Sequence, residues 1–293
     1  MKPYEVIDIH AHPYFIDRVC TPDVLERQRT VTGYYKHNPF DYRMIENQMR
    51  VARVDKMVLH PLDLTSTHGF ALCTNEQVRQ IVDERPDLFM GFASVDPMKE
   101  GAAEELIYAF ENLGLMGLKL HPSRQRFFPD DERLEPLYRI CDERNKPIMF
   151  HAGVSTQPGT WSKYAYPMHF EKVALDHPGL RICLAHFGWP WVREVCMLMM
   201  KYPNIYTDTA LVYMDSAAEM YQQLFTVDMG KYWVDRSFRH QVMFGSDDPG
   251  LEQVRMSRAL RHDMPWREQT IGLVMGINAL EFLGLKETSY DQA

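Results

Sequence analysis

The chain alternates eight times between a short apolar segment and a longer segment whose apolar residues recur at helical spacing. Uninterrupted apolar strands are typical of a parallel sheet buried on both faces, and each helical segment would provide the crossover to the next strand. Eight such β–α units in one chain are typical of a (β/α)8 barrel, so we predict an α/β protein with a TIM-barrel fold. The predicted strands cover residues 6–13, 56–61, 90–97, 117–122, 147–153, 181–188, 204–209 and 241–249.

A doubly wound open sheet is the alternative architecture for this alternation. It is disfavoured because no glycine-rich phosphate-binding loop follows the first strand. A polar, aromatic-rich stretch over residues 14–40 follows it instead, and we expect an extended active-site loop with one short helix there. Two further helices, near 251–261 and 268–283, would complete the outer ring. Because the chain has no linker or low-complexity segment, we predict a single domain over residues 1–293.

Net charge and cysteine usage exclude several classes of partner. The 293-residue chain carries a formal charge of -8 and has no basic run, so neither nucleic acid nor an anionic membrane is an expected partner. Its five cysteines form no CxxC pair, which favours reduced, buried thiols. The sequence shows no apolar signal segment or membrane-length apolar window, and we therefore expect a soluble, cytoplasmic protein that acts on a small molecule. Monomer and homodimer both stay open.

Polar side chains recur at or near the ends of the predicted strands. In a TIM barrel the carboxyl ends of the strands converge on one mouth, where the active sites of this fold are built. One site can therefore collect these histidines and carboxylates. They are His60, Asp96, His121, His151, His186, Asp208 and Asp247.

The first strand ends in two histidines, His10 and His12. In a strand, side chains two residues apart lie on the same face, so both imidazoles are expected to point to one side. Two neutral imidazoles are half of a transition-metal site, which a carboxylate readily completes. A chance pair of histidines on a surface strand is the alternative. The polar residues at the other strand ends favour the metal site, because the barrel would bring them to the same mouth.

Four short segments at strand ends together resemble the motif series of the amidohydrolase superfamily. The resemblance is to its amidohydrolase 2 branch, which is typified by aminocarboxymuconate semialdehyde decarboxylase. Each motif is weak alone, but the series is specific and spans nearly the whole chain. The segments are Asp8-Ile9-His10-Ala11-His12, His151-Ala152-Gly153, Ala185-His186-Phe187-Gly188 and Phe244-Gly245-Ser246-Asp247.

The resemblance implies one divalent metal held by His10, His12, His151 and Asp247, with a water at the open position. Zinc is the usual ion, and Mn²⁺, Ni²⁺ and Fe²⁺ are alternatives. Three neutral nitrogens and one carboxylate leave a net positive site, which lowers the pKa of a bound water. The resemblance also implies that His186 takes or relays a proton beside the metal, and an imidazole suits both directions of that transfer. A satisfied core histidine is the alternative for His186.

Lys119 and His121 lie two residues apart near the end of the fourth strand, and thus on one strand face. In relatives with two metals, a lysine near this place is carboxylated and bridges both ions. The mononuclear branch lacks that bridge, so we interpret Lys119 as a binder of the substrate's anionic group and leave the carbamate bridge as the alternative. His121 either faces the site or lies outside it, and we include it among the candidate substrate contacts.

Arg124 and Arg126 follow the fourth strand and are suited to bind a substrate carboxylate through paired hydrogen bonds, although a solvated loop pair is an equal alternative. Trp189, together with other aromatic residues near the mouth, is suited to stack on a flat substrate, and ordinary packing would also explain each of them. The roles of His60 and Asp208 stay open between support of the ligands and substrate contact. The other aromatic residues are Tyr34, Tyr35, Trp161 and Tyr164.

Two reactions fit this set of residues. In our main expectation, a metal-activated water hydrolyses a C–N or C–O bond of a small carboxylate-bearing substrate, and Asp247 helps to move a proton. In the alternative, the enzyme removes carbon dioxide from an unsaturated or aromatic acid without oxidation, and His186 moves the proton. A barrel that binds metal without catalysis is a third alternative. It is disfavoured because the four implied metal ligands and the implied proton carrier, His186, are all present.

Overall fold

Ten strands are present in the computed structural model, which describes residues 4–31, 37–211, 214–248 and 252–285. Eight of them are parallel and form a barrel, and β3 and β4 form a separate antiparallel hairpin. In chain order the strands are β1 (Ile7–Ala11), β2 (Lys56–Leu59), β3 (Asp63–Leu64), β4 (Phe70–Ala71), β5 (Phe89–Gly91), β6 (Leu118–Leu120), β7 (Ile148–Phe150), β8 (Ile182–Leu184), β9 (Ile205–Asp208) and β10 (Val242–Met243).

The barrel is closed by hydrogen bonds at the two places where the regular strand ladder is interrupted. One ladder joins β1, β2 and β5, and the other joins β6 to β10 in chain order. The amide of Lys119 donates to the carbonyl of Ala93 at 2.7 Å, which joins β6 to the chain after β5. The amide of Ile9 donates to the carbonyl of Phe244 at 2.9 Å, which joins β1 to the chain after β10. The predicted (β/α)8 barrel is therefore confirmed.

Helices connect successive strands, as the alternating sequence pattern predicts. The α-helices are α1 (Pro22–Val31), α2 (Tyr42–Ala52), α3 (Thr65–His68), α4 (Asn75–Glu84), α5 (Ala102–Glu111), α6 (Pro122–Gln125), α7 (Glu135–Glu143), α8 (Glu171–Asp176), α9 (Val192–Lys201), α10 (Ala217–Gln222), α11 (Glu252–His262), α12 (Glu268–Gly272) and α13 (Asn278–Phe282). Shorter 3₁₀ segments are Pro13–Phe15, Glu132–Leu134, Ser162–Ala165, Pro167–Phe170 and Ala185–Gly188, and π-helical segments are Gln223–Asp228, Val234–Phe238 and Leu273–Ile277.

In the described part of the chain, buried apolar residues form two clusters. The larger cluster packs the strands against the surrounding helices. The smaller one joins strand residues such as Ile9 and Met149 to Phe282 of α13. The ring of Phe282 lies near both Phe92 and Tyr206, with centroid distances of 6.5 and 5.3 Å. Because these two residues belong to opposite sides of the barrel, the last helix packs across it.

The segment after β1 departs from the expected loop with one short helix. A 3₁₀ turn, Pro13–Phe15, follows the strand directly, and α1 then extends over ten residues. Tyr34 and Tyr35 lie outside the described residues. The hairpin of β3 and β4 and the four-residue helix α6 were also not predicted. In the part of the chain that the structure describes, no helix is both long and apolar enough to cross a membrane.

Candidate metal centre

A cavity of about 410 Å³ opens among the carboxyl ends of the barrel strands and the loops that follow them. Its wall combines histidines and a carboxylate with two cationic side chains and several apolar groups. The lining residues are His10, His12, Tyr14, Leu62, Lys119, His121, Arg124, His151, Val154, Thr156, Gln157, Pro158, His186, Trp189, Leu211, Met214 and Asp247.

His10 directs its Nε2 atom toward the other candidate ligands. Its Nδ1 atom lies 2.8 Å from Oδ2 of Asp208, and a carboxylate only accepts hydrogen bonds, so Nδ1 carries the proton. Nε2 of the neutral ring therefore keeps its lone pair. This atom lies 3.5 Å from Oδ1 of Asp247. A hydrogen bond from the opposite nitrogen to a carboxylate is the usual support of a metal-binding histidine.

His12 is oriented in the same way by the main chain. Its Nδ1 atom donates to the carbonyl of His60 at 2.9 Å, which leaves Nε2 as the acceptor. Nε2 lies 2.9 Å from Oδ1 of Asp247, another acceptor. Two acceptors at this distance repel each other unless a proton or a cation lies between them. Because imidazole nitrogen and carboxylate oxygen are ordinary ligands of divalent metals, the arrangement fits a metal ion.

Among the residues that the structure describes, two overlapping groups of ligand atoms are compact enough to hold a metal. The first comprises His10, His12 and Asp247, and the second comprises His10, His186 and Asp208. Within each group the ligand atoms lie within 4.8 Å of one another. The first group matches three of the four ligands that the sequence resemblance implies. The structure thus brings together two strand-end histidines with a carboxylate from the opposite end of the chain.

His151, the fourth implied ligand, lies beside this group and contacts it through His186. Nδ1 of His151 is 3.0 Å from Nε2 of His186. The opposite nitrogen of His186 donates to the carbonyl of Ala210 at 2.5 Å, and its amide donates to Oδ1 of Asp208 at 2.8 Å. These bonds hold His186 in a left-handed conformation with a φ of 61°. The contact between the two rings can carry a proton.

Lys119 and His121 both face the cavity. Nζ of Lys119 lies 3.0 Å from Nε2 of His10, and the lysine side chain is almost fully buried. The ring of His121 stacks on that of His151, with centroids 3.8 Å apart and an interplanar angle of 10°. Of the two alternatives for His121, the structure shows the one in which the residue lines the cavity.

Burial keeps most of these imidazoles neutral. It lowers the pKa of His10, His60, His121 and His151 well below the ordinary value of histidine. The positive charge of Lys119 lowers all four pKa values further. Since the neutral ring is the form that binds metal, this environment favours ligation.

The charged groups of the site are also shifted by burial. Burial lowers the pKa of Lys119 to about 8, against the attraction of the carboxylates of Asp208 and Asp247. Burial alone would raise the pKa of Asp247, but the close contact with the ring of His12 and the positive charge of Lys119 bring it below its usual range. Burial raises the pKa of Asp208. Asp247 is therefore a stable anion at neutral pH, as a metal ligand must be.

The structure separates the two arginines that the sequence could not distinguish. Arg124, in α6, is buried and lines the cavity. Arg126 is exposed just after α6, with a φ of 60°, and is not among the lining residues. Trp189 also lines the cavity. Trp161 is 53% exposed and packs against Tyr164 instead of lining the wall.

Several residues of the site were not predicted. Tyr14 stacks on His12, with centroids 4.6 Å apart, and residues 154–158 supply four members of the cavity wall. Leu211 and Met214 add apolar contacts after β9. The length of the loop after β7 was a usable signal for residues 154–158, because long loops at this face of a barrel are often functional.

A family model described as amidohydrolase, of the amidohydrolase 2 type, matches residues 7–285. The chain belongs to this family. This amidohydrolase is 25% identical over 248 residues to 2-amino-3-carboxymuconate-6-semialdehyde decarboxylase of Dictyostelium discoideum. That alignment covers 74% of this chain and 67% of the Dictyostelium protein.

Solved structures of decarboxylases share the fold of this amidohydrolase. 2,6-Dihydroxybenzoate decarboxylase in complex with 2,6-dihydroxybenzoate superposes with a TM-score of 0.67 at 16% identity, covering 96% of this chain and 99% of that one. 5-Carboxyvanillate decarboxylase of Novosphingobium aromaticivorans, with bound manganese and a nitrobenzoic acid, gives 0.65 at 19% identity, with coverages of 96% and 97%. The protein is an enzyme of the amidohydrolase superfamily.

Proposed function

We propose that this enzyme catalyses the non-oxidative decarboxylation of a small unsaturated or aromatic carboxylic acid. The observation that carries the proposal is one cavity that combines a His/Asp metal-ligand group, a pair of hydrogen-bonded histidines and a partly cationic wall. Three similar proteins are decarboxylases, and two of their structures contain an aromatic carboxylate. Hydrolysis, our main expectation from the sequence, has less support than this alternative.

The residues that would hold one divalent ion are His10, His12 and Asp247, with His151 as the fourth ligand. Their nitrogen and carboxylate donors suit zinc, and also manganese, which is bound in the similar structure from Novosphingobium. When bound, the ion would supply the positive charge that orients and polarises the substrate. Asp247 contributes a permanent negative charge because its pKa is lowered.

His186 would move the proton. In a decarboxylation of this type the C–C bond breaks, carbon dioxide leaves, and the bonding electron pair stays on the carbon that then takes a proton. Nε2 of His186 lies at the cavity and shares a contact with His151, while Nδ1 is fixed by the carbonyl of Ala210. When the ring takes up a second proton, on Nε2, it is oriented to deliver that proton from this single atom, as general acid catalysis requires.

The substrate's anionic group would bind at the cationic wall of the cavity. Arg124 and Lys119 supply positive charge there, with His121 between them in the chain. Trp189 and Leu211 supply apolar surface for a flat molecule. Arg126 is left out of this proposal because it is exposed and does not line the cavity.

The reaction is tested with protein loaded with Zn²⁺ or Mn²⁺ and a panel of acids that includes 2,6-dihydroxybenzoate and 5-carboxyvanillate. Lactones and amides of similar size serve as the hydrolytic panel. We expect release of carbon dioxide from an acid, and no hydrolysis. Hydrolysis of a lactone or amide without carbon dioxide release would contradict the proposal, as would addition of water to an unsaturated acid.

The role of His186 is tested by His186→Gln, which keeps a polar side chain of similar size but removes the transferable proton. We expect kcat to fall by about 10²- to 10⁴-fold with metal content unchanged. His169→Gln is the matched control, because His169 lies in the 3₁₀ segment after β7 and does not line the cavity. Full activity of His186→Gln would show that another group moves the proton.

A further inference from the structure

We propose that the ammonium group of Lys119 competes with the metal ion for His10, so that metal binding requires Lys119 to turn away from His10 into the cavity. This inference rests on the metal centre of the proposed function. It adds that a lysine of the chain itself sets the metal affinity of that centre.

The competition follows from the number of lone pairs on His10. Nδ1 of His10 already donates to Oδ2 of Asp208 at 2.8 Å. Nε2 is thus the remaining acceptor of the neutral ring, and Nζ of Lys119 lies 3.0 Å from it. An ammonium group only donates hydrogen bonds, so this contact uses the same lone pair that a metal would need. One lone pair cannot serve both partners.

Charge places Lys119 at this position. Its side chain is 2% exposed, and the carboxylates of Asp208 and Asp247 attract its ammonium group. Oδ1 of Asp247 lies 3.5 Å from the same Nε2 atom of His10 that Lys119 contacts. The ammonium group therefore lies among the atoms that would ligate a divalent ion. A metal on His10 and Asp247 would repel it as well as displace its hydrogen bond.

The cavity gives the displaced group a place to go. Lys119 is a lining residue of the space of about 410 Å³, and its stem of four methylene groups can change rotamer without moving β6. Arg124 and His121 line the same space. A turned Lys119 would face the bound substrate, where its charge can contact an anionic group.

The affinity test compares the wild-type protein with Lys119→Met, which keeps the length of the side chain and removes its charge. Metal-stripped proteins are titrated with Zn²⁺ against a competing chromophoric chelator. We expect the Kd of Lys119→Met to be lower by about tenfold or more. Lys99→Met is the matched control, because Lys99 is a partly buried lysine that pairs with Asp63 and Glu105 and does not line the cavity. Its Kd should equal that of the wild type.

The outcomes separate this inference from the proposed function. An equal Kd in Lys119→Met overturns the competition and leaves the metal centre intact. Weaker binding also overturns it, and would indicate that Lys119 supports the metal, as a carbamate bridge would. If neither protein binds metal, the metal centre fails and the inference fails with it.

A second measurement uses the wild-type protein alone and so does not depend on the folding of a variant. Crystal structures are determined after metal stripping and after loading with Zn²⁺. In the loaded protein we expect Nζ of Lys119 to lie beyond hydrogen-bond distance of Nε2 of His10, at more than about 3.5 Å. A zinc ion on His10 with Lys119 still at hydrogen-bond distance from Nε2 would overturn the inference.

Discussion

At the scale of single residues, Asp208 holds two side chains of the site, those of His10 and His186, in position. Its Oδ2 atom accepts from the ring of His10, and its Oδ1 atom accepts from the amides of His186 and Ala210. One carboxylate thus fixes the tautomer of His10, the proposed metal ligand, and the position of His186, the proposed proton carrier. The sequence placed Asp208 at a strand end but could not assign this role, because His10 is 198 residues away along the chain.

Replacing Asp208 by asparagine tests this role. Asp208→Asn keeps the shape of the side chain but removes the negative charge of the group that accepts the hydrogen bond from Nδ1 of His10. We expect the Kd for Zn²⁺ to rise by about 10- to 100-fold, as is typical when the partner of a metal-binding histidine is altered. Isothermal titration calorimetry of the metal-stripped protein measures this Kd. Asp235→Asn is the control, since Asp235 is a buried carboxylate that pairs with Thr270 and Arg267. Equal affinities in both variants would refute the role.

At the scale of elements, the barrel strands were predictable because strands buried on both faces are continuous apolar runs. Helix α6 was not predictable, because four residues cannot show a helical period. This short helix decides which arginine reaches the cavity, because it buries Arg124 and ends at Gln125. The next residue, Arg126, has a left-handed conformation and an exposed side chain. The part of the cavity wall formed by residues 154–158 was likewise not predictable, because its position depends on how the loop after β7 packs.

The loop after β7 depends on Gly153. Its φ is 96°, and a Cβ atom there would lie 2.3 Å from the carbonyl oxygen of Trp189. Gly159, in the same loop, has a φ of 78°, but a Cβ atom added there would meet nothing within 4 Å. We expect Gly159→Ala to lower the free energy of unfolding by about 1 kcal/mol for backbone strain alone. Gly153→Ala should lower it by about 3 kcal/mol, because the clash is with main-chain atoms. Urea denaturation measures both, and equal losses would contradict the clash.

At the scale of the whole molecule, Asp8 ties the beginning of the barrel to its end. Its carboxylate accepts hydrogen bonds from the hydroxyl of Ser246 at 2.6 Å and from the side-chain amide of Gln253 at 2.8 Å. The amide of Ser246 also donates to it, at 3.0 Å. One buried side chain therefore links β1 to the segment after β10 and to α11.

The burial of Asp8 predicts a pH dependence of stability. Burial raises its pKa to about 6, above the value of about 4 in an unfolded chain. The native state then binds the proton more tightly, so the contribution of Asp8 to stability falls as the pH rises from about 4 to about 6. Over this pH range the free energy of unfolding of the wild type should fall by about 3 kcal/mol relative to that of Asp8→Asn. Urea denaturation at several pH values measures the difference, and parallel pH profiles would contradict it.

The proposed metal centre would join the same two ends of the chain, because His10 and His12 come from β1 and its exit whereas Asp247 follows β10. An ion that binds the native state alone stabilises it by about 2.7 kcal/mol at a hundredfold excess over Kd. For a chain of this size we expect Zn²⁺ to raise the Tm of chelator-stripped protein by about 5 °C, as measured by calorimetry. His12→Ala removes one ligand, so its Tm should respond much less to the same addition. An undiminished shift in His12→Ala would show that the stabilising ion binds elsewhere, and the link between metal binding and barrel closure would then be lost.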